Sequence, residues 1–328
     1  MDNQGELLTD TTRGNKYMRV MKCMTTQFKK HTNNVKAPPS LRVDGKLVLV
    51  TGTTKGGIGY ETVCDLLQRG ASVILAGRNK SKLEHAMEQL NKDVVSTKEY
   101  NLMNRLHTMQ VDLADLQTVK PAIESLAKQV AGRQIDILVE NAGVWAMAGS
   151  PKTNQGYELE FGTNVLGHFA LRDALISNKL LSPTVRIVIV TGDIYCLATD
   201  CSSTHFGGYE ASKLGNIWIA KQLQERNPKY QVRLVHPGVI ASGLAGGSTG
   251  CSAMIKGKLL IDTQTGAQTS IFACVADQEQ FNLPPCAYLH NCRGLLSFDE
   301  ADVASNESRA ETLWNECQQL WTDFAQQK

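Results

Sequence analysis

The sequence predicts an α/β protein built on one doubly wound parallel sheet. From residue 46 onward, short apolar runs alternate six times with stretches of helical periodicity. A glycine-rich turn follows the first apolar run, and hydrophobic residues make up 42% of the 328 residues, enough for a large core. Because parallel neighbouring strands need a crossover helix between them, this alternation favours a parallel sheet covered by helices on both faces.

The predicted strands are runs rich in β-branched and apolar residues, and each run is flanked by turn residues on both sides. The first, 46–50, is apolar after Lys46, as expected of a strand buried on both faces. The others follow at 71–76, 109–112, 135–139, 185–190, 231–235 and 287–290.

Helices are predicted between these strands, where apolar residues recur every three to four positions. The first ends at Gln68, and Gly70 follows it as a C-cap. The others are predicted at 81–90, 116–130, 157–176, 209–226 and 307–324. We interpret 46–328 as a single domain.

Residues 1–45 are interpreted as a flexible N-terminal extension. They are rich in weak helix formers and end in a linker-like Ala-Pro-Pro-Ser segment at 37–40. Within them, 17–30 mixes Met and Val with Lys and Arg. That stretch is either a solvated tail or a short basic helix that contacts a membrane surface or a partner.

Composition excludes several classes of function. With 34 Lys and Arg against 32 Asp and Glu, the net charge of +2 gives no reason to expect a nucleic-acid partner. No apolar stretch is long enough for an integral membrane span. Nine cysteines without a C-x-x-C pair predict reduced thiols and no metal site. We therefore expect a cytoplasmic protein, with peripheral membrane association left open.

The glycine-rich turn at 51–59 predicts a phosphate-binding loop. It lies between a strand and a helix, so its glycines let the backbone approach a pyrophosphate while the helix N-terminus offers N–H groups. The predicted cofactor contacts are Gly52, Lys55, Gly57, Ile58 and Gly59. Either Gly56 or Gly57 could be the middle glycine of this turn, and the sequence does not choose between them.

This turn resembles the T-G-x-x-x-G-x-G loop of the short-chain dehydrogenases/reductases, although it is one residue longer. The resemblance implies a Rossmann fold and a nicotinamide dinucleotide. It places Asp112 at the adenine, Asn141 and Gly143 at the adenosine ribose, and Ile240 in the Pro-Gly segment near the nicotinamide. The family more often has Asn where this chain has Glu140, so that corner of the site is expected to differ.

The end of the second strand predicts the choice between NAD and NADP. An acidic residue there binds the ribose hydroxyls of NAD, whereas a basic residue meets the 2′-phosphate of NADP. This strand is followed by Arg78, and Lys55 is a second cation nearby. A guanidinium grips a phosphate through two hydrogen bonds, so the sequence favours NADP.

Tyr209 and Lys213 are the predicted catalytic pair. Four residues apart at the start of a helix, they share one face, and a cation near a phenol lowers its pKa. Family resemblance adds Asn164, which would hold a water in a proton relay with Lys213. It also implies that Tyr209 and Lys213 contact the cofactor.

The family's catalytic serine has no obvious counterpart. The simplest register puts Gly192 at its position, at the end of the fifth predicted strand. Thr191 comes one residue early, so strand alternation would turn its hydroxyl away. Ser202, Ser203 and Thr204, in the long loop that follows, are possible substitutes.

The chain resembles the retinol-dehydrogenase-like branch, which implies a small lipophilic substrate such as a retinoid or steroid. Hydride transfer between NADP(H) and a carbonyl or alcohol carbon is the function this predicts. The alternative is an NADP-binding scaffold or sensor with little catalysis, because the serine is missing. The family resemblance also leaves a homo-oligomer open.

Overall fold

The chain forms a nine-stranded sheet with helices packed on its two faces. The computed structural model describes residues 8–9, 35–94, 102–146, 151–204, 207–240, 261–291 and 294–326. The strands are β1 Leu8–Thr9, β2 Leu47–Thr51, β3 Ser72–Gly77, β4 Leu106–Gln110, β5 Ile135–Glu140, β6 Leu181–Val190, β7 Gln231–His236, β8 Ala287–His290 and β9 Gly294–Ser297. Their order is β1-β9-β8-β7-β6-β5-β2-β3-β4.

The helices lie in two layers. They are α1 Ile58–Gln68, α2 Lys80–Val94, α3 Val119–Val130, α4 His168–Ser177, α5 Gly208–Arg226, α6 Thr263–Val275 and α7 Glu307–Gln326. One apolar cluster joins the sheet to α3, α4, α5 and α7. A second cluster joins the opposite face to α1, α2 and α6. The predicted doubly wound α/β fold is confirmed.

The chain changes direction across the sheet between β2 and β5. Strand β2 pairs in parallel with β3 on one side and with β5 on the other. In an open parallel sheet, ligands bind beyond the carboxyl ends of the strands at such a switch point. The ends of β2 and β5 carry Thr51 and Glu140, so the turns that follow them are the natural place for a site.

Two predicted elements have different bounds. The third predicted strand forms three residues earlier than expected, as Leu106–Gln110. The helix predicted at 157–176 begins as a π-helix, Phe161–Gly167, which continues into α4. Its start is set by the Glu158 carboxylate, which accepts the backbone N–H groups of Glu160 and Phe161 at 2.9 and 2.7 Å. Those groups lack partners within the helix.

One edge of the sheet was not predicted from the sequence. Strand β9 pairs antiparallel with β8, and β1 pairs in parallel with β9. At four and two residues, these strands are too short to show a periodic pattern.

Part of the predicted extension packs onto the domain. Val35, Ala37 and Val43 are buried. The Arg69 guanidinium at the end of α1 donates hydrogen bonds to the carbonyl groups of Pro38 and Leu41, each at 2.7 Å. From Val35 on, the segment is therefore tied to the helix layer. Within the described ranges, no helix has both the length and the apolar character needed to span a bilayer.

Candidate active site

The phosphate-loop residues form a tight turn that heads α1. Gly52 and Gly56 adopt left-handed backbone conformations, with φ of 75° and 83°. The Gly57 N–H donates to the Thr54 carbonyl at 3.1 Å, and Gly57 is the N-cap of α1. Gly56 therefore lies within the turn, which is one residue longer than the family pattern, and Gly57 lies at the helix N-terminus.

Asn141 fastens this loop to the end of β5. Its Nδ2 donates to the carbonyl groups of Thr51 and Gly52 at 2.8 and 3.1 Å. A Cβ added to Gly59 would lie 2.5 Å from that same Nδ2, so only glycine allows the approach. Residues predicted to bind the cofactor, from the ends of β2 and β5, are therefore joined directly by hydrogen bonds.

The loop fits an anionic group. The Thr53 hydroxyl is buried and has no hydrogen-bond partner among the described residues. No atom of the described residues lies within 4 Å of a Cβ added to Gly56, so none of them fills the space beside that glycine. A helix N-terminus, an unpaired hydroxyl and open space beside a glycine are what a pyrophosphate needs.

The two predicted cations have different surroundings. Lys55 Nζ bonds to Gln89 Oε1 at 2.9 Å and to Asp93 Oδ2 at 3.1 Å, which directs it toward α2. Arg78 is exposed just after β3, and within the described ranges it forms no ion pair. Arg78 is thus the cation left available to a ligand.

The remaining predicted cofactor residues lie along the same edge of the sheet. Asp112 Oδ1 accepts the Ala114 N–H at 3.0 Å. A Cβ added to Gly143 would lie 3.9 Å from Lys213 Nζ, which places Gly143 beside the predicted catalytic lysine. Ile240 forms an isolated β-bridge with Ile261, two residues before α6 begins.

Tyr209 and Lys213 lie one turn apart at the start of α5. Lys213 Nζ is 5.1 Å from the centroid of the Tyr209 ring and donates to the Val190 carbonyl at 3.1 Å. Burial lowers the pKa of Lys213 to about 8. Contrary to the lowering expected from the nearby cation, the pKa of Tyr209 is raised above its ordinary value, because its charged form also loses hydration. At neutral pH Tyr209 is therefore a protonated phenol beside an ammonium group.

Asn164 joins α5 to the loop after β5. Its side chain exchanges two hydrogen bonds with the Val144 backbone, at 2.8 and 3.0 Å. Its Nδ2 also donates to Ser212 Oγ at 3.0 Å, and Ser212 donates to the Tyr209 carbonyl at 2.7 Å. We call Asn164, Tyr209 and Lys213 the helix flank of the site. A water relay through Asn164 stays a prediction.

Trp145 covers one face of Tyr209, the predicted catalytic tyrosine. Its ring stacks on that of Tyr209, with centroids 5.1 Å apart and planes at 19°. The loop that carries it is held by Asn164 and by Glu160, whose Oε1 accepts the Ala146 N–H at 2.7 Å. An apolar ring therefore borders the Tyr209 phenol.

The hydroxyls considered as serine substitutes point elsewhere. Thr191 Oγ1 donates to the Lys213 carbonyl at 2.8 Å. Ser203 bonds to Glu316 of α7, and Ser202 and Thr204 bond to each other at 3.3 Å. These contacts give each hydroxyl a structural partner.

A buried polar cluster lies where the serine is missing. Asp193 follows Gly192, and its carboxylate accepts hydrogen bonds from Tyr288 OH at 2.6 Å and His290 Nε2 at 2.7 Å. His236 and His290 are opposite each other on β7 and β8, with ring centroids 4.6 Å apart. We call Gly192, Asp193, His236 and His290 the strand flank.

Comparison with known proteins identifies the family. A model described as short chain dehydrogenase matches residues 46–249, which is more than half of the chain. The chain belongs to the short-chain dehydrogenase family. Its members are oxidoreductases that use a nicotinamide cofactor.

Relatives confirm the retinol-dehydrogenase-like branch. This short-chain dehydrogenase is 33% identical to an uncharacterised oxidoreductase of Schizosaccharomyces pombe, over 71% of this chain and 73% of the relative. It is 29% identical to retinol dehydrogenase 14 of Mus musculus, over 83% of this chain and 84% of the relative. It is 30% identical to retinol dehydrogenase 12 of Mus musculus, over 84% of this chain and 86% of the relative.

Solved structures share the fold. An uncharacterised protein from Mycobacterium paratuberculosis superposes with a TM-score of 0.65 at 24% identity, covering 88% of this chain and 98% of that one. An alcohol dehydrogenase from Thermococcus sibiricus, complexed with 5-hydroxy-NADP, gives 0.55 at 17% identity, covering 75% and 95%. At these identities the likeness shows the fold alone.

Two features of this short-chain dehydrogenase escaped sequence reasoning. Glu140 forms a buried ion pair with Arg172, at 2.6 and 2.9 Å, which accounts for the acidic residue at that corner. The strand flank was also missed as a unit. Its only sequence signal is that Asp193, His236 and His290 each stand at or just after the carboxyl end of a strand.

Proposed function

We propose that the chain is an NADP-dependent oxidoreductase that interconverts a carbonyl and an alcohol on a small lipophilic substrate. The observation that carries this is the half-buried Tyr209 ring beside the buried Lys213 amine, in a fold whose phosphate loop lies at the switch point of the sheet. When bound, NADP(H) supplies or accepts the hydride.

Tyr209 provides the proton in the direction of carbonyl reduction. Its phenol is protonated at neutral pH because burial raises its pKa. The ammonium group of Lys213, 5.1 Å from the ring centroid, stabilises the phenolate that forms as the proton leaves. Asn164 keeps the start of α5 in register with the loop at Val144.

Arg78 supports the choice of NADP. It is exposed just after β3 and unengaged by ion pairs in the described part of the chain, whereas Lys55 is bound to Asp93. A guanidinium at that strand end is suited to a 2′-phosphate. The complex of the Thermococcus sibiricus enzyme with 5-hydroxy-NADP is consistent with this choice.

An apolar substrate is supported by the walls of the site. Among the described residues, the exposed large hydrophobic side chains are Trp145 at 39% and Val239 at 50%. Trp145 stacks on Tyr209, and Val239 follows the Pro-Gly segment after β7. An exposed apolar ring such as that of Trp145, stacked on the proposed catalytic phenol, suits a lipophilic substrate such as a retinoid or steroid. The names of the mouse relatives point the same way.

A cytoplasmic location, with or without peripheral membrane contact, remains part of the proposal. The six cysteines of the described ranges, from Cys64 to Cys317, are all thiols. This fits a reducing compartment. Fractionation of cells that express the full chain tests it: recovery in an oxidising compartment would contradict it.

The experiment that tests the function is direct. The full chain is incubated with NADPH and retinal, steroid or aliphatic carbonyls, and NADPH consumption is followed. Turnover by the wild type and a rate lower by roughly 10³-fold in Tyr209→Phe is the expected result. A scaffold or sensor is the second candidate, because Gly192 lacks the family's hydroxyl. NADPH binding without turnover of any carbonyl would favour the scaffold.

A further inference from the structure

His168 is a buried imidazole that the proposed chemistry does not use. It begins α4, directly after the π-helix Phe161–Gly167, and it is 3% exposed. Each ring nitrogen has a hydrogen-bond partner. Nδ1 is 3.1 Å from the backbone carbonyl oxygen of Asn164, and Nε2 is 3.0 Å from Thr51 Oγ1. The ring therefore connects the end of β2 to a residue of the helix flank.

The partners of the ring decide which nitrogen carries the proton. A carbonyl oxygen only accepts hydrogen bonds, so Nδ1 is the donor to Asn164. The Thr51 hydroxyl has two lone pairs, and the N–H groups of Asn141 and Ala142 use both, at 3.0 and 2.9 Å. Thr51 can therefore only donate to Nε2, and the imidazole is neutral with its proton on Nδ1.

The surroundings of the ring favour this neutral form. Burial lowers the pKa of His168, because an imidazolium would lose its hydration there. The charged groups that act on it are Glu140 on β5, Arg172 on α4 and Lys213 on α5, of which Glu140 raises that pKa and the two cations lower it. A neutral imidazole keeps one donor and one acceptor, so each of its two contacts has a fixed direction.

Asn164 is held by its backbone as well as by its side chain. The His168 ring binds its carbonyl, while its side-chain amide binds the Val144 backbone and Ser212 Oγ. Ser212 in turn donates to the Tyr209 carbonyl at 2.7 Å. A continuous chain of hydrogen bonds therefore runs from the end of β2, where the phosphate loop begins, to the first turn of α5.

We propose that His168 is a positioning residue that holds Asn164, through its backbone carbonyl, in register with the start of α5. The inference rests on the proposed function, because the effect on turnover passes through Asn164 to Tyr209. His168 is not itself catalytic, since both of its nitrogens are engaged within the protein. The competing explanation is a histidine that only fills space in the core, for which an apolar residue of similar size would serve equally well.

Two amide variants separate the two contacts of the ring. His168→Asn places an amide nitrogen close to the position of Nδ1, so it keeps the donor to Asn164 and loses the contact with Thr51. The Thr51 hydroxyl then still has the Val139 carbonyl, at 3.3 Å, as an acceptor. His168→Gln reaches Thr51 but loses the donor to Asn164, and His168→Leu loses both contacts. Leu175→Ala shortens a fully buried side chain on the same helix and is the control for lost stability alone.

The first readout is hydrogen exchange of the Val144 N–H, measured by NMR on the full chain, because that group donates to Asn164 Oδ1 at 2.8 Å. The second is kcat for carbonyl reduction. We expect His168→Gln and His168→Leu to speed Val144 exchange and to lower kcat by about tenfold each, the loss of one hydrogen bond, with NADPH affinity unchanged. His168→Asn should stay within about threefold of the wild type in both readouts. Leu175→Ala should lower the midpoint of thermal unfolding and change neither readout.

Three results would overturn the inference. They are wild-type Val144 exchange in His168→Gln, wild-type exchange in His168→Leu, and a His168→Asn variant as impaired as His168→Gln. ¹⁵N NMR of the wild type needs no variant: a proton on Nε2 of His168 at neutral pH would overturn it as well. Failure of the proposed function is a separate result, namely no NADPH consumption by the wild type with any carbonyl. Because Val144 exchange needs no turnover, the two failures can be told apart.

Discussion

The two flanks of the site are built in different ways. The helix flank uses Tyr209 and Lys213 on one turn of α5, held by hydrogen bonds to Val190 and Val144. The strand flank draws Asp193, His236 and His290 from the ends of three neighbouring strands. The helix flank follows its family closely, whereas the strand flank lacks the family's serine. The residues proposed to transfer the proton thus lie on the part that follows the family, and the departure from the family pattern is at Gly192 on the other part.

Tyr209→Phe should have the largest effect, because it removes the proton donor. We expect carbonyl reduction to fall by roughly 10³-fold, within the range of general acid catalysis. NADPH affinity should stay the same, because the ring and its contact with Trp145 are kept. Steady-state rates and fluorescence titration measure both. Turnover near the wild-type rate would show that Tyr209 is not the general acid.

Glu140→Gln should test the buried ion pair at the end of β5. Glu140 and Arg172 are both almost fully buried, so loss of one charge leaves the other uncompensated. We expect the free energy of unfolding to fall by about 3–5 kcal/mol, measured by denaturant titration. Exposed Glu124 on α3 is the matched control, and Glu124→Gln should change stability by less than about 0.5 kcal/mol. Equal effects in both variants would contradict the role of the pair.

Arg78→Asp should change the preference between NADPH and NADH without altering the residues of either flank. Loss of a charge-assisted contact and repulsion by the new carboxylate should weaken NADPH binding about 10- to 100-fold and leave NADH binding unchanged or improved. The control is Lys55→Met, which should change NADPH affinity less than about threefold because Lys55 is held by Gln89 and Asp93. If Lys55→Met had the larger effect, the assignment would be reversed.

The pH profile should give the smallest effect. Burial lowers the pKa of Lys213 to about 8, so its ammonium is present below that pH and is lost as the pH rises through it. Carbonyl reduction should therefore reach half of its plateau near pH 8 and continue to fall. Lys213→Arg keeps the charge and should remove this limb. A wild-type profile that stays flat a full unit above that pKa would show that the lysine charge is not needed.

The fold and the helix flank could be predicted because their signals are local. A strand, a glycine turn and a helix follow one another at 46–68, and a four-residue spacing sets Tyr209 and Lys213 on one face. Asn164 needed the family resemblance, since a single amide within a helix carries no pattern of its own.

The strand flank could not be predicted because it depends on register. Asp193 and His290 are 97 positions apart, and only the pairing of β6 with β7 and of β7 with β8 brings them together. The choice between Gly56 and Gly57 was likewise a matter of backbone angles. The buried partner of Glu140 lies on α4, and nothing in the spacing pointed to Arg172.

The stack of Trp145 on Tyr209 gives the site an optical signal of its own. The chain has four tryptophans, and Trp218 is fully buried while Trp145 is 39% exposed beside the phenol. A soluble quencher should therefore reach the Trp145 indole before that of Trp218. A molecule that binds against the phenol should change the fluorescence of the Trp145 indole. Occupancy of the site can therefore be followed by intrinsic tryptophan fluorescence, without a label.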